Sequence, residues 1–288
     1  MDSKGPARLQ VLAAALLFST GGAAVKATSF DGWQVAGLRS AFGGVALALL
    51  IPAARRHWTW RTWLVGCAYA ATLLLYVQSN KLTTSANAIF LQSTAPLYLL
   101  ALSPFLLRER IRPREIAFMV ALAIGLALFF VGLEPPQRTA PNPGLGNLLA
   151  AASGLTWGLT IAGLRWLART EGASGGAAAG AAVAGNLLVC LVCLPFALPL
   201  TGHGASDWVW AGYLGVFQIA LAYVFMTRGM RQVGALEASL LLLLEPVINP
   251  LWTWLLHGET PALWSRVGGA IVLVATVVNA LTAERRAP

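Results

Sequence analysis

A carboxylate lies within one of the most apolar stretches of this 288-residue chain. Glu245 stands in the run 240–256, and Asn249 follows it by one helical turn. An ionisable side chain in such surroundings is costly to bury and is by default a candidate for function. The carboxylate could pair with the ammonium group of a bound solute, carry a coupling proton, or form a structural hydrogen bond beside Pro246 or Pro250. The sequence leaves these three roles open.

An indole side chain occupies a similar position. Trp157 lies in the middle of an apolar run, between Gly154 and Gly158, whereas most other tryptophans lie near the ends of such runs. A buried indole N–H needs a hydrogen-bond partner or a wet cavity. We therefore predict that Trp157 forms part of a cavity wall. The alternative is that it fills space beside the two glycines.

Two neighbouring stretches carry polar and aromatic residues at helical spacing. The first set is Tyr69, Thr72, Tyr76 and Asn80, and the second is Asn87, Thr94 and Tyr98, with Gln92 on an adjacent face. Polar faces on apolar helices either bond to other helices or line water. Because two adjacent stretches both have one, we predict a shared substrate site. Its proposed members are Trp157, Tyr76, Tyr98, Gln92, Asn87 and Glu245.

The composition places these residues in a membrane. Hydrophobic residues make up 57% of the chain and charged residues only 11%, with a mean hydropathy of +0.69. A soluble domain carries about a quarter charged residues, so we predict an all-α integral membrane protein. A spanning helix takes about 20 apolar residues, and the apolar runs predict ten spans. Their approximate bounds are 8–26, 32–51, 61–80, 84–107, 115–133, 145–168, 176–200, 208–228, 234–257 and 263–283.

Residue types exclude several classes of function. None of the lysines lies in a GxxxxGK(S/T) phosphate loop, and the histidines lack metal-ligand spacing. No nucleophile–base pair or carboxylate dyad occurs within one span. We therefore expect no metal, no cofactor and no enzymatic activity. A membrane enzyme or an assembly scaffold is the alternative from another functional class.

The net charge of +9 follows the predicted topology. With the N-terminus placed inside, fifteen of the 20 lysines and arginines fall on the inner side and four on the outer side. Arg39 is left within the second span. This excess follows the positive-inside rule. It predicts a multi-pass protein of a bacterial inner membrane with both termini in the cytoplasm, and no nucleic-acid partner.

The chain contains an internal repeat. The segment 12–21 is similar to the segment 149–158. Further along, four residues recur 150 positions later: Trp60 as Trp210, Lys81 as Arg231, Pro96 as Pro246 and Glu109 as Glu259. The repeat predicts two five-span units, residues 1–143 and 144–288, so the first span is retained rather than cleaved as a signal peptide. Because five is odd, the two units must be inverted, which is typical of secondary transporters. Pro96 and Pro246 predict matched kinks.

These motifs resemble the EamA family of the drug/metabolite transporter superfamily. The stretch Lys81-Leu-Thr-Thr-Ser-Ala-Asn-Ala, continuing through Pro96 to Arg108-Glu109-Arg110, is similar to the first-repeat motif. Arg231 through Pro246 to Glu259 is similar to the second, although His257-Gly258 replaces Leu107-Arg108. The resemblance implies ten helices around a central cavity and alternating access. More narrowly, the chain resembles bacterial exporters of amino acids, including aromatic ones.

We therefore expect a secondary exporter of neutral and aromatic amino acids or similar small metabolites. Sugar phosphates would require clustered cations at membrane depth, and embedded cations are scarce in this sequence. The nearest alternative is an exporter of drugs or quaternary cations, for which Glu245 would be indispensable. The expected partners are a small-molecule solute and membrane lipid, and the chain is expected to act as a monomer or weak dimer.

Overall fold

The computed structural model describes residues 5–56, 58–106, 111–131, 135–171 and 176–284. Lys4, the motif 108–110 and the pair 285–286, which contributed to the topology and to the family resemblance, lie outside the described residues. Within these ranges, ten helices are long and apolar enough to cross a membrane. They are α1 (Gly5–Ala27), α2 (Gly32–Leu50), α3 (Trp60–Leu82), α4 (Ser85–Phe105), α5 (Pro113–Val131), α6 (Pro143–Thr170), α7 (Gly176–Ala197), α8 (Ala205–Gly229), α9 (Glu237–His257) and α10 (Leu263–Thr282). The prediction of an all-α protein with ten spans is confirmed.

Successive helices alternate in direction through the bundle. We call the end at which α1 begins the entry end, and the opposite end the far end. Contacts join residues assigned to the same end: Arg8 pairs with Glu237 at the entry end, and Lys26 pairs with Glu259 at the far end. The described part of the chain therefore has the alternating order that the ten predicted spans require.

Three helices are interrupted near mid-depth. α1 breaks at Thr20, α4 between Gln92 and Ala95, and α9 at Leu243. The breaks in α4 and α9 lie just before Pro96 and Pro246, whose missing backbone donors prevent a regular helix. The matched kinks predicted from the repeat are therefore present at equivalent places. The interruption of α1 has no proline beside it and was not predicted.

α8 departs from regular helical geometry in a different way. Its middle segment, Leu214–Leu221, is a π-helix set between two α-helical segments. A π-helical insertion widens the turn and is often found at functional sites. Gln218 and Ile219, which belong to this segment, line the central cavity described below.

Small residues bring α6 close to α4. A Cβ atom added at Gly154 would lie 2.9 Å from the Leu91 carbonyl oxygen, and one added at Gly158 would lie 3.1 Å from the Ala95 carbonyl oxygen. No larger residue fits at this approach without displacing backbone, so the two glycines fix where α6 crosses the break in α4. Trp157 stands between them and is held at the level of that break.

Candidate functional site

A cavity of about 340 Å³ lies inside the bundle. All of the helices except α5 and α10 contribute residues to its wall in the described part of the chain. The polar and aromatic residues that line it are Arg39, Tyr69, Thr72, Tyr76, Gln92, Trp157, Thr160, Gln218, Tyr223 and Glu245. Its volume is in the range of sites that take small molecules.

The cavity extends from mid-depth toward the entry end. Ala178 and Met226 belong to its lining and lie within one turn of the entry ends of α7 and α8. Val65, near the start of α3, lines it as well. The lining residues closest to the far end, including Tyr76, remain one to two turns inside their helices.

Four of the six predicted site residues line this cavity: Tyr76, Gln92, Trp157 and Glu245. The Trp157 ring lies 6.3 Å from the Tyr69 ring between centroids, at a tilt of 44°. Gln92 donates a hydrogen bond of 2.7 Å from Nε2 to Ser153 Oγ on α6. The structure therefore brings together residues that are up to 169 positions apart in the sequence. Their role in binding a solute stays a prediction.

Tyr98 and Asn87 lie elsewhere. Tyr98 packs against α6, where a Cβ atom at Gly154 would lie 3.3 Å from its ring. Asn87 is buried near the far end and donates from Nδ2 to Thr83 Oγ1 at 3.3 Å and to Asn147 Oδ1 at 3.2 Å. Both were assigned to the site because helical spacing placed them on one polar face, next to the face that carries Gln92. The break in α4 at Ser93 and Thr94 interrupts that spacing, so residues before and after it no longer share one face.

The surroundings of Glu245 bear on its three possible roles. Its side chain is partly exposed to the cavity. No hydrogen bond joins the carboxylate to another described residue, so the structural bond expected beside Pro246 or Pro250 is not seen there. Binding an ammonium group and carrying a proton both require the cavity-facing position that Glu245 has, and the role of the carboxylate stays a prediction.

Arg39 is a lining residue that the sequence prediction missed. Its side chain is only 2% exposed, and its Nε and Nη1 atoms have no hydrogen-bond partner in the described structure. The signal was present, because an arginine inside an apolar span is a functional candidate by default. In the count of charges on each side, Arg39 enters only as an exception.

Two further polar groups in the cavity wall lack partners. The Tyr76 hydroxyl and the Gln218 Oε1 atom are buried and accept or donate no hydrogen bond within the described residues. Buried polar groups are nearly always satisfied. Together with Arg39, they give the wall unused donors and acceptors, which a polar solute or water can satisfy.

A second set of polar residues lies at the far end of the bundle, and we call it the far-end cluster. Its members are Lys26, Asn80, Lys81, Thr83, Ser85, Asn249 and Glu259. The Lys26 ammonium lies 3.0 Å from Glu259 Oε1, and Glu259 Oε2 accepts a hydrogen bond of 2.8 Å from the Ser85 backbone N–H. Ser85 Oγ lies 2.8 Å from Asn249 Oδ1.

The far-end cluster buries charges whose burial was not predicted. From the sequence, Lys26 and Lys81 were only counted on the outer side, and Glu259 was a position of the repeat. In the structure the side chains of Lys26 and Glu259 are only 3% and 1% exposed, and Lys81 donates to the Thr28 carbonyl oxygen at 3.0 Å. These charges are held where the helix ends pack against one another.

The site combines features suited to binding rather than to bond breaking. Its charged groups are a guanidinium and a carboxylate, its neutral polar groups are amides and hydroxyls, and its apolar surface is aromatic. Among the described residues, no group of three His, Cys, Asp or Glu side chains could hold a metal ion. Such a wall can hold an amphipathic solute in a membrane-embedded chamber.

Comparison with known proteins shows that the chain is similar to transporters. An "uncharacterized transporter" from Archaeoglobus fulgidus is 28% identical over 215 residues, which cover 72% of this chain and 71% of that protein. A solved crystal structure shares the fold with a TM-score of 0.65 and 24% identity, covering 99% of each chain. The model of the EamA-like transporter family matches residues 6–131 and again residues 144–281. The chain therefore belongs to the EamA-like transporter family.

Proposed function

We propose that this chain is a secondary transporter that exports neutral and aromatic amino acids, or similar small metabolites, across a bacterial inner membrane. The observation that carries the proposal is the central cavity, whose lining includes a guanidinium, a carboxylate and several aromatic rings. A zwitterion with an apolar side chain matches each of these elements. Both termini are placed in the cytoplasm by the distribution of positive charge.

Alternating access is supported by the different closure of the two ends. The cavity reaches within a turn of the entry end, whereas the far-end cluster buries an ion pair and several hydrogen bonds on the other side. Two inverted halves with matched helix breaks can exchange such an arrangement for its opposite. We infer that the breaks at Ser93 and Leu243 are the hinges of this exchange.

An exporter of drugs or quaternary cations is the second candidate. Glu245 and the aromatic residues favour it, because a carboxylate and aromatic faces both attract cations. Arg39 opposes it, because a guanidinium in the same cavity repels a solute that carries only positive charge. The single cavity arginine also gives no cluster of cations for a sugar phosphate. Amino acids therefore fit the wall better than either alternative.

Counterflow in proteoliposomes tests the proposal. Vesicles that contain only the purified chain are preloaded with unlabelled solute and offered trace labelled threonine, methionine or an aromatic amino acid. We expect saturable accumulation that Trp157→Ala abolishes and Trp254→Ala preserves. Trp254 is the matched control, because its side chain is 53% exposed on α9 and lies outside the cavity lining.

Three other results would contradict parts of the proposal. Accumulation of a cationic dye but of no amino acid would assign the chain to the second candidate. Saturable exchange of phosphorylated sugars would overturn the argument from cavity charge. Equal loss in Trp157→Ala and Trp254→Ala would remove the evidence that the central cavity is the binding site.

A further inference from the structure

Arg39 has no negatively charged partner among the residues that the structure describes. Of the described carboxylates, Glu259 pairs with Lys26, Glu237 pairs with Arg8, and Asp207 accepts hydrogen bonds from Ser29. Asp31 caps α2, and Glu115 accepts from the Arg112 backbone. Glu245 alone shares the cavity with Arg39, and no ion pair joins the two within the described structure. The buried guanidinium is therefore uncompensated.

An uncompensated cation at this depth is expensive for the protein. Removing a charge from water without a partner carries a large desolvation penalty. A neutral glutamine or leucine would fit an apolar helix at less cost. The charge is therefore best explained by a partner that is absent from the free protein.

Close packing between α2 and α8 fixes the position of the Arg39 backbone beside the cavity. A Cβ atom added at Gly215 of α8 would lie 2.6 Å from the Arg39 carbonyl oxygen and 2.7 Å from the Gly43 backbone nitrogen. α2 and α8 therefore approach closely at this position, which sets the level and the direction of the arginine. A binding group needs such support to hold its geometry without the ligand.

We propose that Arg39 binds the carboxylate of the transported solute and makes a free carboxylate a requirement for recognition. This inference rests on the proposed function and names the solute group that the cavity selects. A guanidinium offers a planar fork of donors that matches a carboxylate with two parallel hydrogen bonds. The unpartnered Nε and Nη1 atoms belong to that fork.

Glu245 stands at a different depth in the same cavity. With a rise of about 1.5 Å per residue, Arg39 lies about 10 Å from the far end of α2, and Glu245 lies about 18 Å from the far end of α9. A zwitterion bound between them has its carboxylate toward the far end and its ammonium group toward the entry end. The aromatic wall at Tyr69 and Trp157 then contacts its side chain.

The test compares an amino acid with its own amide. Phenylalanine and phenylalanine amide compete against labelled substrate in counterflow, with wild type, Arg39→Gln and Arg39→Lys. We expect phenylalanine to compete far better than its amide in wild type. In Arg39→Gln, competition by phenylalanine should weaken about tenfold to a hundredfold, as for loss of a charge-assisted hydrogen-bonded pair, while competition by the amide does not weaken. In Arg39→Lys, competition by phenylalanine should be weaker than in wild type and stronger than in Arg39→Gln.

Arg61→Gln is the matched control. Arg61 stacks on Trp60 and Trp166 near the entry end, outside the cavity lining, so its loss should leave the preference for the acid unchanged. Equal competition by the acid and the amide in wild type would overturn the inference. So would a preference that survives in Arg39→Gln. If both Arg39 variants fail to fold, the wild-type comparison alone decides.

Thermal stabilisation by ligands separates this inference from the proposed function. Wild-type protein in detergent is heated with phenylalanine, phenylpropionate and the corresponding amides. Stabilisation by both carboxylates and not by the amides supports the role of Arg39, even if no amino acid is transported, in which case only the proposed function fails. Stabilisation by acids and amides alike contradicts the inference while leaving amino-acid export intact.

Discussion

The proposed recognition depends on single residues in the cavity. Arg39 and Glu245 face the same cavity with opposite charges, and neither has a charged partner among the described residues. Trp157 and Tyr69 add aromatic surface to the cavity wall. We therefore expect a bound zwitterion to pair with both charges.

Replacement of Glu245 tests the other end of the solute. We expect Glu245→Gln to weaken competition by phenylalanine about tenfold or more, because an ammonium group loses its charged acceptor. Competition by N-acetylphenylalanine, which has no ammonium group, should not weaken. Competition assays in the counterflow system measure both values. Glu237→Gln is the control, since Glu237 pairs with Arg8 at the entry end and lies outside the cavity lining.

Two outcomes would assign Glu245 a different role. If exchange persists while proton-driven net movement stops, the carboxylate carries a coupling proton. If phenylalanine competes with the labelled substrate equally well in wild type and in Glu245→Gln, the carboxylate does not bind the ammonium group.

At the scale of elements, the interrupted helices and the far-end cluster have different roles in the proposed transport. The breaks in α4 and α9 free the backbone near mid-depth, where the cavity lies. The cluster holds α1, the start of α4 and the end of α9 together at one end. We therefore expect opening of that end to require the loss of these buried polar contacts.

The Lys26–Glu259 pair is expected to contribute strongly to stability. Because both side chains are almost fully buried, Lys26→Met or Glu259→Gln should each destabilise the protein by about 3–5 kcal/mol, since each leaves a buried charge without its partner. The double variant should lose less than the sum of the two. Denaturation in detergent, analysed as a double-mutant cycle, measures the coupling.

The Arg8–Glu237 pair gives the matched comparison. Its side chains are 41% and 35% exposed, so its removal should cost only about 0–1 kcal/mol. Strictly additive losses at Lys26 and Glu259, or equal losses in the two pairs, would show that burial at the far end does not couple these charges.

At the scale of the whole molecule, the orientation in the membrane is the main untested prediction. Single cysteines are introduced at Thr201, exposed near the far end, and at Gln232, exposed near the entry end, after Cys67, Cys190 and Cys193 are replaced. In intact bacterial cells, a membrane-impermeant maleimide should label position 201 and should label position 232 only after lysis. The reverse pattern would place both termini outside.

Much of the fold was predictable from the sequence because the signals are local or averaged. Apolar runs gave the ten spans, since the bilayer requires about 20 apolar residues in every crossing. Pro96 and Pro246 gave the breaks in α4 and α9, because a missing backbone donor acts within one turn. Trp157 and Glu245 were identified because their side chains do not suit the middle of an apolar helix.

Two features of the site depend on departures from ideal helices. Asn87 and Tyr98 share one face only in an uninterrupted helix, and the break at Ser93 and Thr94 lies between them. Neither residue lines the cavity. The burial of Lys26 and Glu259 was not predicted, because it results from packing between the ends of distant helices.

The sequence by itself therefore determined the class, the number of helices and the presence of membrane-embedded polar groups, because these depend on residue type and on spacing along one helix. Only the tertiary structure decided that Arg39 joins Glu245 in one cavity without pairing with it, and that an ion pair is buried at the far end. Those facts depend on how helices are rotated and at what depth they cross, which packing between distant segments sets.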